Sequence, residues 1–555
     1  MDILNRVLYL LALFMGVIVI ARLLDKSKPQ VEFPMDGRIY KAILIFFTLA
    51  AVFVRVYEFG QVPGGFNQDG AMAAVDAKAL ADYGTDHYGM SYPVHLTAWG
   101  YGQMSALLSY LMVPFIKVFG LNPVSARLPQ LIVSLLGLAA LYLFSRDAFG
   151  RKAALVIFAF GAIAPWHIMQ SRWALDCNLY PHFFLFGIFF LNRSLKAGRR
   201  KLLLCLSMVM FGLCMYCYGV SIYTMPLFLI MACVYLLIKK QVKLWEAFMA
   251  FAVWLAVAWP FILVMAINYF GWDSIEIGPF TLPYFSGSVR SNDILFFSED
   301  IPAQLWANLK SLQTAVFAQG SDLLWNNIPE FGSIYLFSMP FAVVGFVYVL
   351  CSLKNNHGAA LLLFFFITGL WCGICTNGAN INRINIIFYP QIIFTALGIY
   401  TVLCRLPAFP IKLGIAGAYL LAFALFSTTY FGGYARNIEY SFFKDFGSAV
   451  SALKYSDADK VYITCKSQGE NTPHVSEILT LFYLQIDAEY YQGKTCPEGE
   501  LPYDERFIYS NMEDLEIDPE EDAAYVAAES ELGCFDLDQY ELSQYGTYYL
   551  LERKD

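Results

Sequence analysis

Charged residues are scarce in this chain of 555 residues: they make up 15% of it, against 58% for hydrophobic residues. An ordinary soluble domain carries about 25% charged residues. The shortage excludes a cytosolic enzyme, a disordered chain and a nucleic-acid-binding protein, and it indicates a polytopic membrane protein. No small-residue cleavage site follows the first apolar stretch, so we expect this stretch to be retained as a span.

Cysteine contributes little recognisable chemistry. Nine of the 12 cysteines lie in or beside apolar stretches, where a thiol packs as a small hydrophobe. Two pairs have CxxC spacing but no nearby histidine, which favours packing over metal binding. The three cysteines near the C-terminus are Cys465, Cys496 and Cys534. If that part lies outside the cell, two of them could form a disulfide, and the sequence leaves the pairing open.

Long apolar runs are abundant. A membrane-spanning helix needs about 20 apolar residues, and about a dozen stretches qualify. They are 3–24, 40–58, 124–145, 153–170, 177–194, 202–218, 221–238, 244–268, 331–353, 358–376, 384–403 and 412–431.

Residues 102–119 form an ambiguous apolar segment, because Pro114 and Lys117 interrupt it. If this segment does not cross, nearly all the basic loops fall on one side, which the positive-inside rule makes cytoplasmic. We therefore predict a helix lying in the outer interface. Two long loops, 59–123 and 269–330, then face outward together with the short links 171–176 and 377–383.

Charge divides the chain into two parts. Residues 436–555 hold 9 basic and 26 acidic residues, a net charge of -17, whereas the remainder has a net charge of +9. Within this tail, KVYITC and RFIYS are typical of strands, and SEILTLFYLQ of an amphipathic helix. We predict a transmembrane domain over 1–435 and an acidic, extracytoplasmic α/β domain over 436–555.

The first outer loop contains an acid at a predicted helix start. Asp69 follows a Pro-Gly-Gly turn and precedes a helical pattern. A helix-capping Asp is the simpler interpretation, because such positions favour Asp for backbone reasons. The other acids of the loop, Asp76, Asp82 and Asp86, are expected to be solvated.

Three further ionisable residues lie at the predicted outer membrane surface. Arg172 and Asp176 are four residues apart and could form an interfacial ion pair, but ionisable groups at membrane depth often have functional roles. Arg383 could snorkel from the next span, or it could bind phosphate bidentately. Together with Asp69, these residues could activate a hydroxyl and hold a phosphate.

The motifs NQDGAMAAVDAKAL, WGYGQ, FGLNPVSARLP and APWHIMQSRWALDCN resemble those of GT-C glycosyltransferases of the family 39 type. This group includes protein O-mannosyltransferases and the aminoarabinose transferases that modify lipid A. The resemblance covers roughly residues 40–430. It implies a GT-C-like polytopic α-helical protein with about 12 transmembrane helices, outer juxtamembrane helices and a small C-terminal α/β domain.

The resemblance also implies roles for particular residues. Asp69 becomes the general base and Asp176 the second active-site acid. Many relatives have an Asp-Glu pair where this chain has Asp69-Gly70, so a mechanism that needs both acids of that pair is in doubt. The predicted substrate-binding residues are Arg172, Arg383, Asn67, Gln68, His87, Trp99 and Tyr218. Tyr218 also suits the aromatic belt of a membrane protein.

The predicted activity is inverting transfer of a hexose or pentose from a polyprenyl-phosphate donor to a hydroxyl group. The acceptor, a protein, lipid or cell-envelope glycan, is reached on the outer face of the cell membrane. No cofactor is certain, although a divalent metal ion could assist. The alternatives are a transporter or flippase of lipid-linked sugars, which commonly has inverted repeats, and a non-catalytic assembly subunit.

Overall fold

The computed structural model describes residues 1–25, 35–100, 102–196, 198, 200–287, 293–321, 323–406 and 408–554. Parts of the two predicted outer loops, namely residues 101, 288–292 and 322, lie outside the described residues. Most of the described chain is helical, and the largest of its sheets belongs to the C-terminal part.

Among the described residues, sixteen α-helices precede the C-terminal part. They are α1 (Asp2–Leu24), α2 (Gly37–Val56), α3 (Gln68–Asp82), α4 (Leu107–Phe119), α5 (Pro123–Phe149), α6 (Arg151–Ile163), α7 (Pro165–Gln170), α8 (Tyr180–Ser194), α9 (Arg200–Leu213), α10 (Ser221–Ile238), α11 (Leu244–Phe270), α12 (Ile301–Gln313), α13 (Met339–Ser352), α14 (His357–Cys375), α15 (Phe388–Arg405) and α16 (Phe409–Thr429). Two antiparallel hairpins lie in the outer loops, β1 (Leu96–Ala98) with β2 (Gly102–Met104), and β3 (Ile275–Ile277) with β4 (Phe280–Leu282).

Eight helical segments of the described chain are long and apolar enough to cross a membrane. They contain α1, α2, α5, α10, α11, α14, α15 and α16. The other four predicted spans are also helical, but they are interrupted or shorter, as α6 to α9 and α13 show. Between α6 and α7 the cause is local: Pro165 keeps Ala164 extended, with φ -65° and ψ 127°, because its ring disfavours a helical residue before it.

One end of the helix bundle carries most of the basic residues, and we call it the basic end. Arg22 at the end of α1 donates to the carbonyl oxygen of Arg405 at the end of α15, at 2.6 Å. Arg193 at the end of α8 pairs with Asp147 near the end of α5, at 2.8 Å. These helix ends adjoin basic loops that the positive-inside rule places on one side of the membrane, and they meet in the structure.

The opposite end carries the predicted outer segments, and we call it the site end. Asn385 donates its side-chain amide to the carbonyl oxygen of Cys177, at 2.7 Å. Tyr223 and Thr376 share a hydroxyl hydrogen bond of 2.5 Å. The interrupted helix α4 has 13 residues and packs against α3, α5 and the turn Asp176–Leu179. It lies at this end, as predicted for a helix that does not cross.

The C-terminal part is a small α/β unit. Its helices are α17 (Ala435–Ser441), α18 (Lys444–Ala452), α19 (Pro473–Leu484), α20 (Ala488–Tyr491) and α21 (Tyr503–Arg506), and its strands are β5 (Lys460–Ile463), β6 (Phe507–Tyr509), β7 (Ala523–Ala528), β8 (Tyr540–Tyr545) and β9 (Tyr548–Arg553). The strand order is β6-β5-β7-β9-β8, with β5 parallel to both neighbours and β9 antiparallel to both of its own. The two strands and the helix predicted from sequence are β5, β6 and α19.

The junction between the two parts is helical. The helical segment that begins at Phe409 continues to Ser441, with a kink at Gly433. The predicted boundary at residue 435 therefore falls within this segment. Cys465, Cys496 and Cys534 are all free in the structure.

Two glycines allow α13 and α15 to touch backbone to backbone. A Cβ atom on Gly345 would overlap the carbonyl oxygen of Phe394, and a Cβ atom on Gly398 would overlap that of Phe341. Small residues at such crossings let membrane helices approach closely and gain dispersion energy. This contact joins the two helices near the middle of the bundle.

Replacing Gly345 with Ala should therefore lower the thermal unfolding midpoint of the detergent-solubilised protein, because overpacking costs about 1–3 kcal/mol. Gly417→Ala is a matched control, since Gly417 lies in α16 with open space around it. Equal midpoints for the two variants would contradict the proposed backbone contact.

Candidate active site

Asp69 lies in the first turn of α3, partly exposed. The helix cap is its neighbour Asn67, whose side-chain oxygen accepts a hydrogen bond from the backbone N–H of Asp69 at 3.1 Å. Because Asn67 performs the capping role, the carboxylate of Asp69 is not the N-cap of this helix. Asn67 itself is 8% exposed. It has a capping role in the structure, and its substrate-binding role stays a prediction.

Asp176 belongs to a segment that touches the start of α3. A Cβ atom on Gly70 would lie 2.6 Å from the carbonyl oxygen of Ala174, so only glycine fits at this position. Both carboxylates, of Asp69 and Asp176, lie within electrostatic range of the buried Cys177 thiol. The two predicted acids are thus carried by adjoining segments at the site end.

Position 70 has no room for the second acid of the Asp-Glu pair that the resemblance led us to expect. A glutamate side chain at this position would begin 2.6 Å from the carbonyl oxygen of Ala174 in the 172–176 link. The close approach of the two segments therefore excludes a second carboxylate here.

The structure shows that Arg172 is a structural residue. Its side chain is 0% exposed, and all three guanidinium nitrogens donate to backbone carbonyl oxygens. The acceptors, at 2.6–3.2 Å, are those of Val54, Arg55, Tyr57, Glu58 and Val62. Last-turn carbonyls of a helix have no partner within it, and Arg172 supplies one at the end of α2. The predicted binding of phosphate by Arg172 is therefore not supported.

Arg127 also donates to backbone carbonyl oxygens, at positions nearer in the sequence to Asp69. It comes from the ARLP motif in α5, and it donates to the carbonyl oxygens of Gly60, Pro63 and Gly65 at 2.6–3.2 Å. Its guanidinium lies 5.0 Å from the ring centre of Phe66. Arg127 is not among the site residues predicted from the sequence, although an arginine within an apolar span is itself a signal of function or buried pairing.

Arg383 is the predicted phosphate ligand that stays accessible. Its side chain is 28% exposed and makes an ion pair of 3.4 Å with Asp293, itself partly exposed. It also donates to the carbonyl oxygen of Asn377 at 2.6 Å. Two residues later, Asn385 binds the backbone of Cys177, which connects the Arg383 segment with the Asp176 turn.

His87 is 2% exposed, and its predicted substrate-binding role stays a prediction. Its ring nitrogen Nδ1 lies 2.5 Å from a carboxylate oxygen of Asp76, and Gln492 of the C-terminal part donates to its carbonyl oxygen at 3.0 Å. Asp76 and Asp86 are 0% exposed, so they are not the solvated acids that the sequence suggested. Together these residues form a buried cluster between the first outer loop and the C-terminal part.

Burial governs the charges of this cluster. Burial raises the pKa of Asp86 to about 7, and the neighbouring Asp76 carboxylate acts in the same direction. For His87, burial alone would lower the pKa, but the Asp76 and Asp86 carboxylates outweigh it, so the pKa is raised.

The remaining predicted residues are partly exposed. Gln68 is the first residue of α3, and Trp99 lies beyond β1 with a φ of 56°. Tyr218 follows the turn Cys214–Tyr216, near Cys217, which lies within electrostatic range of Asp176. Trp99 thus lies at the tip of the hairpin formed by β1 and β2.

A mostly apolar cavity of about 380 Å³ opens at the site end between α4, the end of α9 and α11. Tyr110, Tyr216 and Trp259 are among the residues that line it. Helix α4, which lines the cavity, also contacts the turn Asp176–Leu179.

No group of three or more His, Cys, Asp or Glu side chains that could hold a metal ion occurs among the described residues. Asp69 and Asp176 could contribute at most two carboxylates to a divalent ion, and the described chain adds no third ligand of these types.

Arg172→Lys should lower the thermal unfolding midpoint, because one ammonium group cannot reach the carbonyls that the guanidinium holds. Each buried carbonyl that loses its donor costs about 1–3 kcal/mol. The measurement is thermal unfolding without substrate, with Arg436→Lys as an exposed control. A phosphate-binding Arg172 would instead leave the midpoint unchanged and raise the KM of the donor.

Asp86→Asn should change how stability depends on pH. The raised pKa of Asp86 means that ionising this buried acid opposes folding, and this cost grows as pH rises from about 4 to about 7. The difference between the unfolding midpoints of the variant and the wild type should therefore increase in favour of the variant over this pH interval. Above about pH 7 the difference should stay constant. A constant difference across the whole pH range would show that the pKa of Asp86 is not raised.

Comparison with known proteins gives one family match. Residues 105–267 match the family model described as dolichyl-phosphate-mannose-protein mannosyltransferase. No curated protein sequence is significantly similar to the chain.

Several solved structures align with this chain. ArnT from Cupriavidus metallidurans in the apo state aligns with 12% identity and a TM-score of 0.53, covering 92% of this chain and 97% of that chain. The same protein bound to undecaprenyl phosphate aligns with 12% identity and a TM-score of 0.54, covering 93% and 98%. The oligosaccharyltransferase of Archaeoglobus fulgidus in the apo form aligns with 13% identity and a TM-score of 0.47, covering 80% and 64%.

At such identities the likeness to ArnT shows the fold. The residues matched by the family model include the FGLNPVSARLP motif and the 164–178 segment. The chain therefore has the GT-C fold of membrane glycosyltransferases, which confirms the resemblance that its motifs predicted.

Proposed function

We propose that this protein transfers a sugar, with inversion, from a polyprenyl-phosphate donor to a hydroxyl group of an acceptor on the extracytoplasmic face of the membrane. The observation that carries the proposal is the meeting of the Asp69 and Asp176 segments at the Gly70–Ala174 contact. Two acids on adjoining segments, in a GT-C fold, suit activation of a hydroxyl beside a lipid-borne phosphate.

Asp69 is the general base of the proposed reaction. Its carboxylate takes the proton of the acceptor hydroxyl as the oxygen attacks the anomeric carbon, and the bond from that carbon to the phosphate oxygen breaks with inversion. Such positioned proton transfer typically contributes about 10² to 10⁴-fold to the rate. Asp176, across the Gly70–Ala174 contact, orients the acceptor.

The leaving lipid phosphate is an anion, so it needs charge stabilisation rather than a general acid. Arg383 is the candidate for this role, because it is partly exposed and its ion pair with Asp293, a partly exposed acid, is a long one, at 3.4 Å. An arginine fork matches phosphate oxygens bidentately. Tyr218 and Gln68 remain candidate contacts for the sugar, and Trp99 a candidate contact for the acceptor.

The apolar cavity beside α4 supports a lipid-linked donor. Its volume of about 380 Å³ and its apolar lining suit the first isoprene units of a prenyl chain, which would leave the phosphate near the acids. The solved ArnT complex contains undecaprenyl phosphate, a lipid of this class.

The charge distribution supports the proposed orientation. The basic end of the bundle suits the cytoplasm by the positive-inside rule, which leaves the site end and the acidic C-terminal part outside. The acceptor would then be an extracytoplasmic protein, lipid or cell-envelope glycan.

Incubation of the purified protein with a panel of polyprenyl-phosphate sugars tests the activity, with consumption of the donor followed by mass spectrometry. Asp69→Asn should lower kcat by at least about 10²-fold, the lower bound for loss of a general base. Asp82→Asn is the matched control, because Asp82 ends the same helix and forms an exposed pair with Lys78. We expect it to retain kcat within about twofold, since such pairs contribute little.

A transporter or an assembly subunit would keep its function in the Asp69→Asn variant. Equal donor consumption by the variant and the wild type would therefore reject Asp69 as the base.

A further inference from the structure

The helix that carries Asp69 packs along the C-terminal part. Helix α3 lies against α19, and its residues from Gly70 to Ala77 are all buried. The first residues of the C-terminal part also reach the turn before α3, where a Cβ atom on Gly65 would overlap the carbonyl oxygen of Phe442. The C-terminal part therefore contacts the loop that sets the start of this helix.

The closest contact lies immediately before the cap of α3. The ring of Phe66 stacks on that of Phe482 from α19, with ring centres 4.5 Å apart and an interplanar angle of 16°. The backbone N–H of Phe66 donates to the carbonyl oxygen of Phe442 at 2.6 Å. Since Asp69 is three residues further along, these contacts set where its turn begins.

Two other contacts hold the remainder of the helix. Tyr83, directly after α3, donates its hydroxyl to Asp487 at 2.7 Å. Between the ends, the buried Asp76–His87 pair is held by Gln492, which donates to the carbonyl oxygen of His87 at 3.0 Å. The C-terminal part thus contacts the chain before the start of α3, along the length of α3 and after its end.

We propose that the C-terminal domain positions the catalytic base, with Phe482 as the positioning residue that acts on Asp69 through the Phe66 ring. The proposal rests on the function proposed for Asp69. The alternative, in which the domain only covers the site, does not require contacts at both ends of this one helix. The domain is then an integral part of the active site.

Phe482→Ala in the full-length protein tests this role. Removal of the ring should lower kcat at least tenfold while the KM of the donor stays within about twofold, because the base is displaced but the donor site is kept. Phe482→Tyr retains the stacked ring and should restore kcat to within about twofold of the wild type.

Phe535→Ala is the matched control. Phe535 is a buried phenylalanine of the same domain, but it belongs to a separate apolar cluster with Tyr525 and Tyr540. It should lower the unfolding midpoint as Phe482→Ala does, yet leave kcat per folded molecule unchanged. Equal kcat for the two alanine variants would overturn the positioning role.

A second measurement separates this proposal from the proposed activity. Cys177 is 0% exposed and lies within electrostatic range of both acids, so its alkylation by N-ethylmaleimide, followed by peptide mass spectrometry, reports on this region without substrate. Phe482→Ala should increase the labelling rate several-fold, and Phe535→Ala should not. If the wild type consumes no donor, the proposed activity fails and Asp69 is not a base. Unequal labelling would then still show that the C-terminal domain holds the Asp69 segment in place, and equal labelling would overturn that contact's role as well.

Discussion

Two guanidinium groups, buried in an apolar bundle, hold the chain between α2 and α3 by its carbonyl oxygens. Arg172 takes the carbonyls at the end of α2, and Arg127 takes those that lead to Phe66. Buried carbonyls without donors are costly, and so is a buried charge without partners. The guanidinium groups give the carbonyl oxygens their donors, and the carbonyl oxygens give the buried charges their partners. This pairing lets an irregular turn persist at membrane depth and gives Asp69 a defined position.

Arg172 also connects the two acids mechanically. It stands four residues before Asp176, and its side chain reaches the loop before Asp69, while Gly70 contacts Ala174 between them. A shift of one segment must therefore move the other. The α6–α7 break at Pro165 belongs to the same arrangement, because it redirects the chain before the Arg172 turn. The site is built from backbone contacts as much as from side chains.

The sequence predicted the architecture well, because apolar runs, basic loops and the acidic tail are composition signals. The helix ends that the charge argument groups together meet in the structure, and β5, β6 and α19 coincide with their predicted segments. Single side chains were harder. Arg172, His87 and Asn67 were predicted to bind substrate, and the structure shows them bonded to the backbone or to a buried acid. A linear pattern shows that an ionisable residue needs a partner, and it does not show which partner is near.

By itself, the sequence indicated that the chain spans a membrane, that its charge divides it into two parts, and that Asp69 and Asp176 stand in motifs that resemble those of glycosyltransferases. Hydrophobicity, charge and local motifs act over short stretches of chain, so they are visible without coordinates. Only the tertiary structure decided that Gly70 packs on Ala174, that Arg172 donates its hydrogen bonds to carbonyl oxygens, and that α19 packs against α3. These contacts join residues far apart in the chain, and which of them form depends on how the whole bundle packs.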